Sequence, residues 1–295
     1  MISGLGPYET LLKIDIVDFH EFVELNHFRI RKLTVQEQCN LFDLESFDVD
    51  QNKEVKNWKP KPPERKQNQL KHLDGYSRED WEELIGSEYY LICDELEDID
   101  LILDAFRLFK LGYIVATFSK SRNYDAVQFH YPRFVKIARA GLCKITVEEL
   151  KEVQNLFIEL KRTSDDKIIL NLERFKNGPE HNYHSFINLV GILESLLTGD
   201  DRDTLTFRFA LYLNHILKNT IKSNLSIDMA KAKRLYGIRS DLAHSGKSKK
   251  FTKEDYLLLR NITQEILVWY VQNPKYNVEE SILNSLSIIE TEKNT

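Results

Sequence analysis

Long apolar runs are missing from this chain. No stretch approaches the ~20 residues that a membrane-spanning helix needs, so a membrane protein of helical type is not encoded. Cysteine is scarce. Cys39, Cys93 and Cys143 are odd in number and far apart, and they form no CxxC pair and no Cys/His cluster. A disulfide framework and a zinc site of usual spacing are therefore not expected, nor is any cofactor. The first residues, MISGLGPYETLLKIDIVDF, hold no basic segment followed by an apolar core, so no leader is read there and the expected location is cytoplasmic. No self-similarity recurs at solenoid period. Excess positive charge is also absent: the formal net charge of -5 argues against a protein that coats nucleic acid at large.

What is present is enough for a folded globule. The chain has 295 residues, 42% hydrophobic and 29% charged, which suffices for one large or two ordinary domains. The pattern divides it into a mixed α/β part over 1–145 and an all-helical part over 146–295, an α+β chain overall. In the first part, KIDIVDF and HFRIRKL alternate as strands do. YIVATF and YDAVQFHY, separated by SKSRN, read as a hairpin. The Pro-containing stretch 53–71 reads as an exposed loop. DWEELIGSEYYLICDELEDIDLILDAFRLFKLG reads as helical and ends near Gly112. Its seven acids from Glu88 to Asp104 admit a divalent-metal site or a solvated face. The lack of a second cluster of oxygen ligands favours the face.

In the second part, helix signals follow one another. Thr146 and Glu149 form a capping box, and Ser164, Asp203, Ser226 and Thr252 are placed to cap later helices. Asn177-Gly178-Pro179, Gly199 and Pro274 mark stops. A polar tail after about Ser287 reads as frayed. Phe186, Leu189, Val190, Leu193 and Leu197 recur at helical spacing, as do Leu259, Ile262, Ile266 and Tyr270, so both sets should face the core of a bundle.

The chemistry concentrates in Tyr236-Gly237-Ile238-Arg239-Ser240-Asp241-Leu242-Ala243-His244-Ser245-Gly246. A guanidinium fork suits a phosphate, and an imidazole titrates near neutrality. Spacing alone is weak, since Arg65/His72, Arg174/His181 and Arg208/His215 are only slightly wider. Context separates them. Arg208 and His215 lie within the apolar run FRFALYLNHIL, where a packed or capping role is expected. Arg239 and His244 lie at an expected helix end in a basic surround. From Lys231 to Lys253 there are eight basic residues and one acid, Asp241.

Tyr236-x-x-Arg239-Ser240-x-x-x-His244 resembles the signature of the HEPN superfamily, in particular its Apea-like branch. DAFRLFK (104–110), LNLERF (170–175), LVGILESLLTG (189–199) and FRFALYL (207–213) are similar to fragments of that family in matching order, and FRIRKLTVQEQ (28–38) loosely so. The resemblance implies a helical bundle that dimerises, with Arg239 and His244 of both protomers facing one cleft. It further implies metal-independent cutting of RNA, in some members within bacterial toxin or anti-phage systems, while other members only bind. Two positions depart from relatives. Ser240 stands where many nuclease members have Asn, Asp or His, although the Apea-like branch also has Ser. Gly246 stands where members modified by nucleotidyltransferases have Tyr, which argues against that modification here.

The expected chemistry is endoribonucleolytic, with Arg239 and His244 catalytic. Ser240, Asp241, Tyr236, Lys247, Lys249 and Lys250 are expected near substrate: Tyr236 by stacking on a base, the lysines by charge. Each has a plainer alternative. Ser240 and Asp241 suit capping, Tyr236 suits a core with its hydroxyl bonded, and Arg239 and His244 suit a surface ion pair and a helix cap. Glu194 shares a helix face with Ile187, Val190 and Leu197, so it should be buried and need a cation. Arg208 is the first candidate and Arg239 the second. The competing function is a non-catalytic module that dimerises and binds RNA, a nucleotide or a partner protein. In a third reading, residues 1–145 sense a phage or regulatory protein and restrain the nuclease.

Overall fold

The computed structural model describes residues 8–33, 44–49, 55–60, 89–110, 112, 114–121, 127–128, 143–176, 182–198, 204–225 and 227–293. For Glu9, Leu11, 44–49, 55–60, 115–121, 127–128 and 286–293 it describes the backbone alone. They form an α+β chain with a small antiparallel sheet followed by helices. Two compact units result, with described residues up to Gln154 in the first and those from Asn155 onward in the second.

The first unit contains β1 (Tyr8–Lys13), β2 (Asp15–Val17), β3 (Phe22–Glu24), β4 (Phe28–Lys32), β5 (Leu44–Val49), β6 (Val55–Pro60), β7 (Tyr89–Cys93), α1 (Asp98–Phe109), β8 (Val115–Ser121), β9 (Val127–Gln128) and β10 (Lys144–Thr146). Six strands make one sheet in the order β3-β4-β7-β1-β8-β9, antiparallel at every step. β5 pairs with β6, and β2 pairs in parallel with β10. The pairing of β8 with β9 is the hairpin that the sequence predicts.

Three expectations need correction here. The stretch ending near Gly112 is not one helix, because Tyr89–Cys93 is a strand buried at all five positions. A short, continuously apolar run has no period by which to separate strand from helix, and pairing with β1 and β4 decided it. KIDIVDF is not one strand: β1 ends at Lys13 and β2 leaves it to join β10. Within the expected loop 53–71, residues Val55–Pro60 form a strand, and the remainder lies outside the described residues.

α1 buries Ile99, Ile102, Leu103 and Phe106, the stripe that a helix lays on a core. Phe106 meets Phe28 of β4 at 6.3 Å between ring centroids. Gly112 then lets the chain pass Cys143 closely, since a Cβ there would stand 2.2 Å from the Cys143 Cα. Burial pushes the Cys143 thiol up to about 11, so it stays an inert core thiol.

The remaining helices are α2 (Glu149–Arg162), whose residues up to Gln154 belong to the first unit, and α3 (Asp166–Lys176), α4 (Tyr183–Thr198), α5 (Leu205–His215), α6 (Met229–Ser245), α7 (Lys253–Gln272) and α8 (Val278–Lys293) of the second. α5 continues as a π-helical turn over Ile216–Ile221. The capping box at α2 is formed as expected. Thr146 Oγ1 accepts from the Glu149 N–H at 3.3 Å, and Glu149 Oε2 accepts from the Thr146 N–H at 2.9 Å. Lys110 Nζ donates to the same carboxylate at 2.7 Å, and this bond is the main cause that holds Glu149 below the usual carboxylate range.

Other caps shift by a residue or two. Asp165 rather than Ser164 caps α3, and Asp228 caps α6, with Ser226 outside the described residues. Asp203 also lies outside them. Thr252 caps α7 as predicted. The tail is not frayed after Ser287, because α8 runs to Lys293 behind an Asn277 cap.

α4 is the centre of this part. It packs on α3, α5, α6 and α7, and it buries Phe186, Leu189, Val190, Leu193 and Leu197. Leu259, Ile262, Ile266 and Tyr270 of α7 are buried as the period requires. Arg208 and His215 take packed roles. Arg208 pairs with Glu279 of α8 at 3.5 Å. His215 is buried between Ser281 Oγ and the Asn219 amide, each 3.1 Å away, and burial lowers its pKa.

Candidate functional site

α6 carries the motif. Asp228 opens it, and Gly246 closes it at φ 69°, a left-handed conformation that suits glycine, with its N–H bonded to the Leu242 carbonyl. The whole segment from Tyr236 to Ser245 is therefore inside one continuous helix. Ala232, Leu235, Tyr236, Ile238 and Leu242 form its buried side.

Packing of α6 on α4 joins three motif-related side chains. Tyr236 is buried with its ring 5.1 Å from that of Phe209, and its hydroxyl donates to Glu194 Oε1 at 2.9 Å. Arg239, one turn further along, reaches Glu194 Oε2 with Nη2 at 3.3 Å. The preferred partner of Glu194 is thus corrected from Arg208 to Arg239. α8 supplies Glu279 for Arg208, and α6 presents two donors a turn apart to one carboxylate. Glu194 is half-buried rather than buried. Burial first, and then the Glu194 bond and charge, raise the Tyr236 pKa, so the phenol stays a donor at neutral pH. Its ring is enclosed and does not present a stacking face to solvent.

Arg239 retains 30% side-chain exposure beside this anchor. The pairing holds the guanidinium by one nitrogen, Nη2, while Nε is buried without a hydrogen-bond partner among the described residues.

His244 is exposed and makes no hydrogen bond among the described residues. It lies five positions beyond Arg239, which turns it about 140° around the axis and carries it about 7.5 Å along it. One chain does not bring the two side chains onto one line. Ser240, half-buried, lies a turn before His244 on the same face. Asp241 turns to the following loop, where it pairs with Lys250 Nζ at 3.8 Å and accepts from Ser248 Oγ at 3.4 Å.

That loop presents Lys247, Lys249 and Lys250 to solvent. Phe251 anchors it, edge-on to Tyr183 at 5.3 Å and to Phe186 at 5.2 Å. The basic stretch is less positive in space than along the chain. Asp255 accepts from Arg234 and Glu194 pairs with Arg239, and both acids lie outside the window from Lys231 to Lys253.

Sequence reasoning left Glu194 outside the site and did not foresee Asp255. The signal for Glu194 was visible as the one carboxylate in an otherwise apolar stretch of α4. Of the acidic segment that runs into α1, Asp94, Glu95, Glu97 and Asp100 are exposed as a solvated face requires, whereas Asp98 and Asp104, both within α1, are buried, with Asp104 on Arg107 at 3.1 Å. Among the described residues no three His, Cys, Asp or Glu side chains stand together as a metal site would require. No described helix is long and apolar enough to cross a membrane.

The fold and site define a two-unit α+β chain with an anchored arginine and an open histidine on one helix. In comparison with known proteins, no family model, no curated protein and no solved structure matches it.

Proposed function

We propose that this chain is a metal-independent endoribonuclease of HEPN type, working in the cytoplasm as a homodimer in a defence or toxin-like role. The observation that carries the reading is the presence on α6 of both a guanidinium held by Glu194 and a solvent-open imidazole, beside a lysine loop. Arg239 and His244 diverge within one chain, so a second copy laid against the same face supplies the complementary groups.

RNA carries its own nucleophile. His244 of one protomer takes the 2'-OH proton as that oxygen attacks phosphorus. The P–O5' bond breaks, and the second, protonated His244 gives its proton to the leaving oxygen. Arg239 holds the non-bridging oxygens while charge develops on them. The products are a 2',3'-cyclic phosphate and a 5'-hydroxyl, with no metal in the proton balance. Purified protein incubated with structured RNA in EDTA is expected to give these ends, dependent on both Arg239 and His244. Cleavage that needs a divalent ion, or ends in a 5'-phosphate, contradicts the mechanism.

Glu194 acts on Arg239 as a positioning residue. Glu194→Ala frees the guanidinium to swing and is expected to lower kcat roughly 10- to 100-fold with little change in KM. Steady-state cleavage kinetics measure this; a rise in KM at constant kcat assigns Glu194 to binding instead. The divergence of Arg239 and His244 around the helix favours one second reading, a dimer that binds RNA without cutting it. Retained RNA binding without product in EDTA distinguishes that case.

A further inference from the structure

Phe207, near the start of α5, leaves half of its surface in water. Lys233 of α6 holds its ammonium 5.4 Å from the centre of that ring. Lys233, Gly237, Ser240 and His244 follow one another on α6 at steps of four, three and four residues, so they form a single stripe. The stripe is open at its two ends, where Lys233 and His244 are exposed. Gly237 and Ser240 between them are half-buried, and no other element among the described residues comes within 4 Å of where a Gly237 Cβ would stand. From Lys233 to His244 the helix rises about 16 Å.

We propose that Phe207 and Lys233 form a nucleotide-binding subsite for single-stranded RNA, a few nucleotides from the phosphodiester cut at Arg239 and His244. This rests on reading the site as an RNA-cleaving one. The Phe207 ring stacks on a base, and Lys233 swings from the ring to the phosphate of the same nucleotide. A flexible stem with a point charge suits that movement, whereas the neighbouring Arg234 is already committed to Asp255. The aromatic ring carries a cation and keeps half of its surface in water, which fits an anionic, stacking ligand. Stacking on a ring face is tolerant of base identity, so the subsite adds affinity and register without adding a sequence code.

The test uses the full-length protein and a fluorescent 2'-O-methyl RNA of mixed sequence, which cannot be cleaved by 2'-OH attack. Phe207→Ala is expected to weaken binding roughly 5- to 100-fold, the worth of one stacked base. Phe207→Trp and Phe207→Tyr should retain it. On cleavable RNA bearing an abasic nucleotide at successive positions, one position should raise KM for the natural protein. Phe207→Ala should abolish that dependence. Unchanged binding in Phe207→Ala, or no binding of the RNA by the natural protein, overturns the subsite. Cleavage that survives His244→Ala while Phe207→Ala loses binding overturns the catalytic reading and leaves the subsite standing. Loss of cleavage in His244→Ala with unchanged binding in Phe207→Ala does the reverse.

Discussion

His244→Ala is expected to lower RNA cleavage by roughly 10²- to 10⁴-fold, the usual contribution of a general acid–base group. The same change should leave stability within about 0.5 kcal/mol, because the side chain is exposed and bonded to nothing among the described residues. The two measurements together make the prediction sharp. A histidine that only capped the helix would cost stability and spare the rate. Here Gly246 already ends α6 through its bond to Leu242, so the imidazole is not needed for that purpose. Single-turnover cleavage in EDTA and urea unfolding of the same preparation decide the matter. Undiminished cleavage by clean His244→Ala protein removes the histidine from the mechanism.

Phe186→Ala is expected to destabilise the second unit by roughly 3–5 kcal/mol, the range for deleting a fully buried aromatic ring. Phe186 has no solvent exposure and stands on α4, the helix that touches four others. It also meets Phe251 edge-on at 5.2 Å, so its loss removes one of the two rings that hold the lysine loop. Urea unfolding followed by circular dichroism should show the midpoint fall. A shift below about 1 kcal/mol indicates that α4 closes over the gap and is not the rigid centre of the bundle. Phe186→Leu, which retains most of the volume, should recover much of the loss.

Much of the helical part was legible because its signals are local. The capping box of Thr146 and Glu149 needs only three residues of spacing, and the Thr252 cap needs the same. The core positions of α4 and α7 follow from period alone. Caps at Asp165 and Asp228 were missed by a residue or two, since neighbouring side chains compete for the same free N–H groups. The Tyr89–Cys93 strand was misread because five consecutive apolar residues carry no period. α8 was missed because its cap, Asn277, follows a Pro274 that reads as a final stop.

The candidate site was legible as residues but not as an arrangement. Arg239 and His244 stand out in one dimension by type and charge. That Glu194 holds Arg239, while Arg208 is taken by Glu279, depends on which helices lie side by side.

The linear order by itself determined the helical periods, most stops, the buried faces of α4 and α7, and the one segment where guanidinium and imidazole meet a basic surround. Those features depend on side chains within a turn or two of each other. Tertiary packing alone decided the partner of Glu194, the enclosure of Tyr236 and the neutralisation of Arg234. Each of these depends on a contact between residues far apart in sequence. The free energy of such contacts comes from burial and pairing across elements, which no local pattern encodes.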